Sequence, residues 1–293
     1  MLERLGCRVL LRVSGSGAGS EPADLLVALH ARRSHAAIAE FARAGGRIVV
    51  GLAGTDVYGD LPGGSHEVLE SLGLADRIVA LQRRVAAALP APLRENVRVI
   101  YQSCELPALP VFEPAAERFR VAVVAHLRAV KDPLAAAEAA ALLPESSPIE
   151  IAHVGDALDP ALSARARAAS AGGRYRWHGP VARERALALV AQSQLLCLTS
   201  LAEGGANAVT EALACGTPVV SSRIDGSLGI LGEDYPGFFE PGDRAGLAAL
   251  LERAAADGAF LADLARRCRE LAPLADPATE LASWRALLDE LCP

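Results

Sequence analysis

One stretch constrains the fold of this chain more than any other. It runs from the apolar Leu195 to Leu198, through a turn containing Gly204 and Gly205, along a helical segment ending at Cys215, to Gly216-Thr217-Pro218 and the apolar Val219 to Ser221. A short apolar run bounded by polar residues suits a strand buried on both faces of a parallel sheet. The glycine pair lets backbone come close to a ligand at the start of the helix, where unpaired N–H groups favour an anion. Gly216 is the helix stop, and Pro218 leads into the next strand.

The same alternation repeats on both sides. Strands are expected at Asp24 to Leu29, Arg47 to Leu52, Arg77 to Leu81 and Val97 to Tyr101, with helices at Ala36 to Ala44, Ser65 to Leu72 and Arg83 to Leu89. Ser34 is the expected cap of the first of these helices. Residues 104–117 then lose periodicity and gather Pro107, Pro110 and Pro114, the mark of a linker. Further strands follow at Phe119 to Ala125, Ile149 to Val154, Arg174 to Gly179, Val219 to Ser222 and Tyr235 to Phe239. Alternating strands and helices predict an α/β protein with parallel sheets. The expected division is 1–103, the linker 104–117, a second domain 118–275, and a helix within 276–293 that packs back across the boundary. Ahead of Met1 to Gly6, read as a helix end, a doubly wound domain would place a strand and a glycine loop. Arg8 to Val13 is an expected strand, and Ser14 to Ser20 a turn.

Composition removes whole classes of function. A net charge of −6 gives no general attraction to nucleic acid or anionic membrane. No apolar run reaches the ~20 residues needed to span a bilayer, and a cytoplasmic location is expected. The six cysteines are dispersed without a C-x-x-C or Cys/His cluster, so they are expected to be reduced and mostly buried.

Candidate site residues fall in loops that follow strands, where parallel sheets bind ligands. His30, Arg32 and Arg33 follow the first strand and form a basic group suited to an oxyanion; a solvated pair of arginines is the plainer reading. Gly54, Thr55 and Asp56 follow the second strand, with Asp56 alternatively a turn cap. Arg128 and Lys131 form a basic loop suited to a diphosphate. Glu203 and Glu211 stand eight apart around Gly204, Gly205, Ala206 and Asn207. Carboxylates accept from vicinal hydroxyls while the intervening N–H groups suit phosphate, a combination fitting a nucleotide-sugar; a capped surface helix carrying two solvated glutamates is the plainer reading. The Arg223 to Ile230 segment, with Gly226, Ser227 and Gly229, is expected to be another anion-approaching loop.

The stretch Glu203-Gly-Gly-Ala-Asn-Ala-Val-Thr-Glu211-Ala-Leu-Ala-Cys-Gly-Thr-Pro-Val-Val resembles the E-x7-E signature of the retaining family-4-type glycosyltransferases. That resemblance implies a GT-B fold: two Rossmann-like doubly wound domains facing a cleft, acceptor on the first and donor on the second. It implies that Glu203 sits beside the donor sugar and Glu211 binds the ribose. Further segments, Leu29-His30-Ala-Arg32-Arg33-Ser34-His35, Gly54-Thr55-Asp56-Val-Tyr58, Val99-Ile-Tyr101-Gln102-Ser103, His126-Leu-Arg128-Ala-Val-Lys131-Asp132-Pro133 and Leu231-Gly-Glu-Asp-Tyr-Pro-Gly237, look like the selenosugar synthases of bacterial selenoneine biosynthesis.

In that family a UDP-sugar, typically UDP-N-acetylglucosamine, reacts with selenophosphate to form a carbon–selenium bond. The resemblance implies Glu203 and His30 as catalytic residues. Arg128, Lys131, Gly204, Gly205, Ala206, Asn207 and Glu211 would bind the donor, and Arg32, Arg33, Thr55 and Asp56 the acceptor. With no D-x-D in the chain, no metal and no cofactor beyond the UDP-sugar co-substrate is expected. A selenophosphate-producing enzyme is an expected partner. A general glycosyl transfer to another acceptor, a UDP-sugar 2-epimerase and a non-catalytic UDP-sugar-binding protein are the alternatives.

Overall fold

The structure, a computed structural model, describes residues 1–12, 22–112 and 118–291. Val13, the expected Ser14 to Ser20 turn, residues 113–117 of the linker and Cys292 lie outside the described residues. The chain divides into two compact units: Met1–Gln102 with Glu203–Gly205 and Pro277–Pro293, and Ser103–Ala202 with Ala206–Asp276.

In the first unit β1 (Leu25–Leu29), α1 (His35–Arg43), β2 (Arg47–Gly51), α2 (His66–Gly73), β3 (Arg77–Ala80), α3 (Val85–Ala88) and β4 (Val97–Val99) follow in order. The four strands are parallel, in the order β1-β2-β3-β4. Ile38 of α1 and Val68 and Leu72 of α2 cover Ile48, Val50 and Ile78 on one face of this sheet. Ser65 caps α2 by accepting from the Val68 N–H. Ser34 occupies the N-cap position of α1 as expected, but its side chain makes no cap bond; its hydroxyl donates instead to the Leu29 carbonyl at 2.8 Å, closing the loop after β1. The Arg8 to Arg12 part of the expected first strand joins neither sheet. Val9 and Leu11 there are exposed, so strand pairing would have no apolar face to bury.

The second unit contains β5 (Phe119–Val124), α4 (Ala135–Ala140), β6 (Ile149–Val154), α5 (Pro160–Ser170), β7 (Tyr175–Trp177), α6 (Arg183–Ala191), β8 (Leu195–Leu198), α7 (Asn207–Cys215), β9 (Val219–Ser222), α8 (Asp225–Leu231), β10 (Phe238–Phe239), α9 (Arg244–Ala256) and α10 (Gly258–Leu271). Its parallel sheet has the order β10-β9-β8-β5-β6-β7. The order turns back between β5 and β8, which is where doubly wound sheets leave a crevice at their carboxyl edge. The expected loop at Arg223 to Ile230 is largely the helix α8, with Ser227 wholly buried and receiving a hydrogen bond from the Ser221 hydroxyl at 2.7 Å. Gly226 and Gly229 are buried within this helix.

The last helix, α11 (Pro277–Leu291), belongs to the first unit. Leu287 and Leu291 pack with Val49, Val79 and Ile100 on the sheet face opposite α1 and α2. Glu290 accepts from Arg77 at 2.8 Å and from Arg98 at 2.8 Å, and these bonds hold its carboxyl down at about 2. Cys7, Cys104, Cys197, Cys215 and Cys268 are free thiols, in keeping with the expectation of reduced cysteines.

Candidate active site

In the first unit, β1 delivers His30 to the carboxyl edge of the sheet. His30 has a left-handed backbone, φ 71°, an uncommon conformation for a residue with a side chain. Its N–H donates to the Gly51 carbonyl at 2.9 Å, joining the end of β1 to that of β2. Nε2 lies 2.8 Å from the Thr55 hydroxyl and Nδ1 2.6 Å from the Asp56 carboxylate. The Nδ1 approach is oblique, and that nitrogen is buried without a hydrogen-bond partner.

Asp56 is fully buried and accepts from the N–H groups of Ala31 (3.1 Å), Arg32 (3.3 Å) and Ala53 (2.9 Å). Expected to touch an acceptor, it has no exposed oxygen to do so. It is the knot that ties the loops after β1 and β2 together and presents His30. Residues Asp56–Asp60 wind as a π-helical turn, which the glycines of the sequence did not announce. That turn brings Asp60 to Arg32, whose Nε donates to it at 3.0 Å.

Ligand atoms of His30, Asp56 and Asp60 converge within 4.8 Å. The two carboxylates already face the Arg32 guanidinium, the imidazole and three backbone donors. That balance makes the group an internal ion network rather than a site starved of positive charge.

Above this network the first unit has a cavity of about 250 Å³. Leu29, Leu52, Val79, Leu81, Ile100 and Trp284 form its apolar walls, with His30, Gln102 and Glu280 as polar groups. Gly204 approaches it within the same unit: a Cβ on Gly54 would stand 2.6 Å from the Gly204 N, and one on Gly205 would meet the Leu81 side chain.

In the second unit, Arg128 and Lys131 lie in the loop after β5. Arg128 is exposed and Lys131 half-buried. Two bonds fasten this loop to the chain after β8: the Thr199 hydroxyl donates to the Lys131 carbonyl at 3.0 Å, and the Leu201 N–H to that of Val130 at 2.8 Å. Asp132, in the left-handed region at φ 41°, then turns back to grip Arg244. The loops after β5 and β6 nearly touch, since a Cβ on Gly155 would collide with the Ala125 carbonyl. His153 holds that seam from below, bonded to Tyr175 at 2.7 Å and to the Ala125 carbonyl at 2.8 Å. Burial pushes its pKa down to about 4, the mark of a neutral structural histidine.

Ala206 is the buried N-terminal cap residue of α7, Asn207 its exposed first residue, and Glu211 a half-buried residue one turn on. Burial raises the Glu211 carboxyl, and Arg183, 3.8 Å away, acts against that rise. Arg183 and Asp60 are the polar neighbours that sequence reasoning missed. The signal for Arg183 was present: a cation in the first turn of a helix opposes the helix dipole, so it needs another reason to be there.

His30, Arg32, Thr55 and Asp56 are thus gathered at one edge of the first unit, together with Gly54 and Gly204. Arg128 and Lys131 share one loop of the second unit, while Ala206, Asn207 and Glu211 share α7. Glu203, Gly204 and Gly205 fall in the first unit and Glu211 in the second.

A family model described as glycosyl transferases group 1 matches residues 109–273, more than half of the chain. No curated protein sequence matches. Among solved structures, Anabaena HepE in complex with UDP and glucose aligns with a TM-score of 0.74 at 20% identity, covering 91% of this chain and 78% of that one. Sucrose-phosphate synthase from Thermosynechococcus elongatus gives 0.72 at 19%, covering 91% and 74%. A glycosyltransferase from Rickettsia africae gives 0.70 at 12%, covering 92% and 76%. These likenesses establish a GT-B fold of two Rossmann-like domains.

Proposed function

The chain belongs to the group 1 glycosyl transferases, and from that premise we propose that it moves a sugar, N-acetylglucosamine, from its UDP conjugate to selenophosphate. The observation that carries the donor half is the matched region itself. It contains Arg128, Lys131, Glu203 and Glu211, with Arg128 and Lys131 beside the turning point of a doubly wound sheet. UDP, with glucose, is the ligand of the similar HepE structure. In this reading Arg128 and Lys131 hold the diphosphate, aided by the N–H groups at Gly204, Gly205, Ala206 and Asn207, while Glu211 accepts from the ribose hydroxyls and Glu203 orients the sugar.

The acceptor half rests on the whole-chain resemblance to selenosugar synthases and on the basic loop His30, Arg32 and Arg33. Selenium attacks C1 of the sugar. The bond from C1 to the diphosphate oxygen breaks, and its electron pair leaves with UDP, whose charge Arg128 and Lys131 offset. A selenium nucleophile is already anionic and needs little help from a base, so His30 and Thr55 serve to hold the acceptor phosphate. Asp56 acts behind them, through His30.

The test is mass-spectrometric product analysis after incubation with UDP-N-acetylglucosamine, with and without enzymatically generated selenophosphate. A selenium-bearing sugar formed only with both substrates supports the reading. Sugar isomerisation without an acceptor, or UDP binding without turnover, overturns it.

A second reading, transfer to a larger acceptor, is favoured by the apolar cavity between Leu29, Leu81, Ile100 and Trp284. A selenophosphate ion has no use for such walls. UDP-sugar consumption that depends on an acceptor with an apolar portion would select this alternative.

A further inference from the structure

Glu211 stands in surroundings that work against its being a carboxylate. Its side chain is 19% exposed, and α7 also carries Cys215 one turn further on. Cys104 approaches from the chain ahead of β5, and burial together with Glu211 drives that thiol upward. Cys215 is pushed up to about 12 by burial, Cys104 and Glu211. Two thiols that stay protonated leave one cation facing this group in the interactions that bear on Glu211. It is Arg183, whose terminal nitrogen lies 3.8 Å from Glu211 Oε1 and donates to Cys104 Sγ at 3.5 Å.

Arg183 occupies the first position of α6, where the N-terminal end of the helix dipole repels a cation. Two acids in that turn would be the ordinary choice for helix stability; here Arg183 is followed by Glu184 and Arg185. The local cost of the arginine is matched by a long-range gain, since it faces a half-buried carboxylate on the neighbouring helix.

We infer that Arg183 is a positioning residue of the nucleotide site: bridging Cys104 and Glu211, it keeps Glu211 ionised and aimed, so that the carboxylate accepts from the hydroxyls of a ribose. This rests on the donor reading given above. A protonated Glu211 would carry a hydrogen of its own and lose half its accepting capacity for a vicinal diol.

Two measurements on the full chain decide it. The first needs no ligand: the Glu211 carboxyl is titrated by 13C NMR, assigned by its loss in Glu211→Gln, in the wild type and in Arg183→Gln and Arg183→Lys. Removing an opposite charge at this distance is expected to raise the midpoint by about one pH unit, and lysine to restore most of the shift. The second is UDP affinity by calorimetry. Arg183→Gln should bind nearly as well as wild type at a pH well above the two measured midpoints and worse at a pH well below them, by up to about tenfold for a one-unit shift.

An unchanged midpoint overturns the inference, and so does an affinity loss that is the same at both pH values, which would mark a direct contact between Arg183 and UDP. Failure of the wild type to bind UDP counts against the donor reading alone; the carboxyl titration still decides the role of Arg183.

Discussion

Asp132 and Arg244 meet fork to fork: the two carboxylate oxygens accept from the two terminal guanidinium nitrogens at 2.6 and 2.8 Å. The pair ties the loop that carries Arg128 and Lys131 to the start of α9, and Arg244 Nε extends it to Glu138 at 2.7 Å. Planar bidentate geometry gives this pair directional strength that an ordinary surface pair lacks.

Asp132→Asn is therefore an informative change, because asparagine tolerates the left-handed backbone while the charge and one of the two accepting oxygens are lost. A loss of about 1 kcal/mol is expected, given that both side chains keep some exposure. Thermal unfolding reads the stability, and UDP affinity should fall with it as the Lys131 loop loosens. Unchanged affinity would separate that loop from nucleotide binding.

Asp56 has a larger role in stability. Asp56→Ala strands the N–H groups of Ala31, Arg32 and Ala53 together, for an expected loss of about 3 kcal/mol in urea unfolding. Asp56→Asn retains one accepting oxygen and should lose less. Equal effects of the two changes would contradict the assignment of Asp56 as a backbone acceptor.

His153 predicts the acid limb of stability. Its folded pKa, about 4, lies below the ordinary 6.5, so the folded state binds fewer protons than the unfolded chain in that window. Above pH 6.5 both states hold the ring neutral and nothing is lost. Stability then falls as pH drops from 6.5 toward 4, by at most about 3 kcal/mol. In His153→Gln, urea unfolding at pH 7 and pH 4.5 should show a smaller difference than in the wild type.

Gly54→Ala tests the close approach of the backbone at Gly204. A new Cβ 2.6 Å from the Gly204 N faces main chain on both sides and cannot be relieved by turning a side chain. A loss of about 2 kcal/mol in thermal or urea unfolding is expected. Gly59→Ala, in open space nearby, is the matched control and should differ little from wild type.

Strands were legible where apolar runs end abruptly. Ile149–Val154 and Leu195–Leu198 have the expected bounds because each run is buried along nearly its whole length between polar neighbours. Arg8 to Arg12 shows the limit of that logic: apolar residues were present, but a strand exists only where another surface covers it. At α8 the failure went the other way. Gly226, Ser227 and Gly229 argue locally for a loop, yet every residue from Gly226 to Leu231 is buried, and packing overrides propensity.

The site divides along the same line. The loops holding His30, Thr55, Arg128 and Lys131 followed from their places after strands. The π-helical turn that carries Asp60 to Arg32 did not, because nothing in Asp-Val-Tyr-Gly-Asp specifies a wider winding. Arg183 was readable as a misfit in its helix, but its partner Glu211 is distant in sequence, and only the fold joins them.

Helix α11 has a consequence for how the protein is made. It supplies Leu287 and Leu291 to a core whose other members, Val49, Val79 and Ile100, were synthesised far earlier. The β1 to β4 sheet must therefore emerge from the ribosome with one apolar face bare and wait through the translation of the entire second unit. The first unit is completed only once α11 has been made.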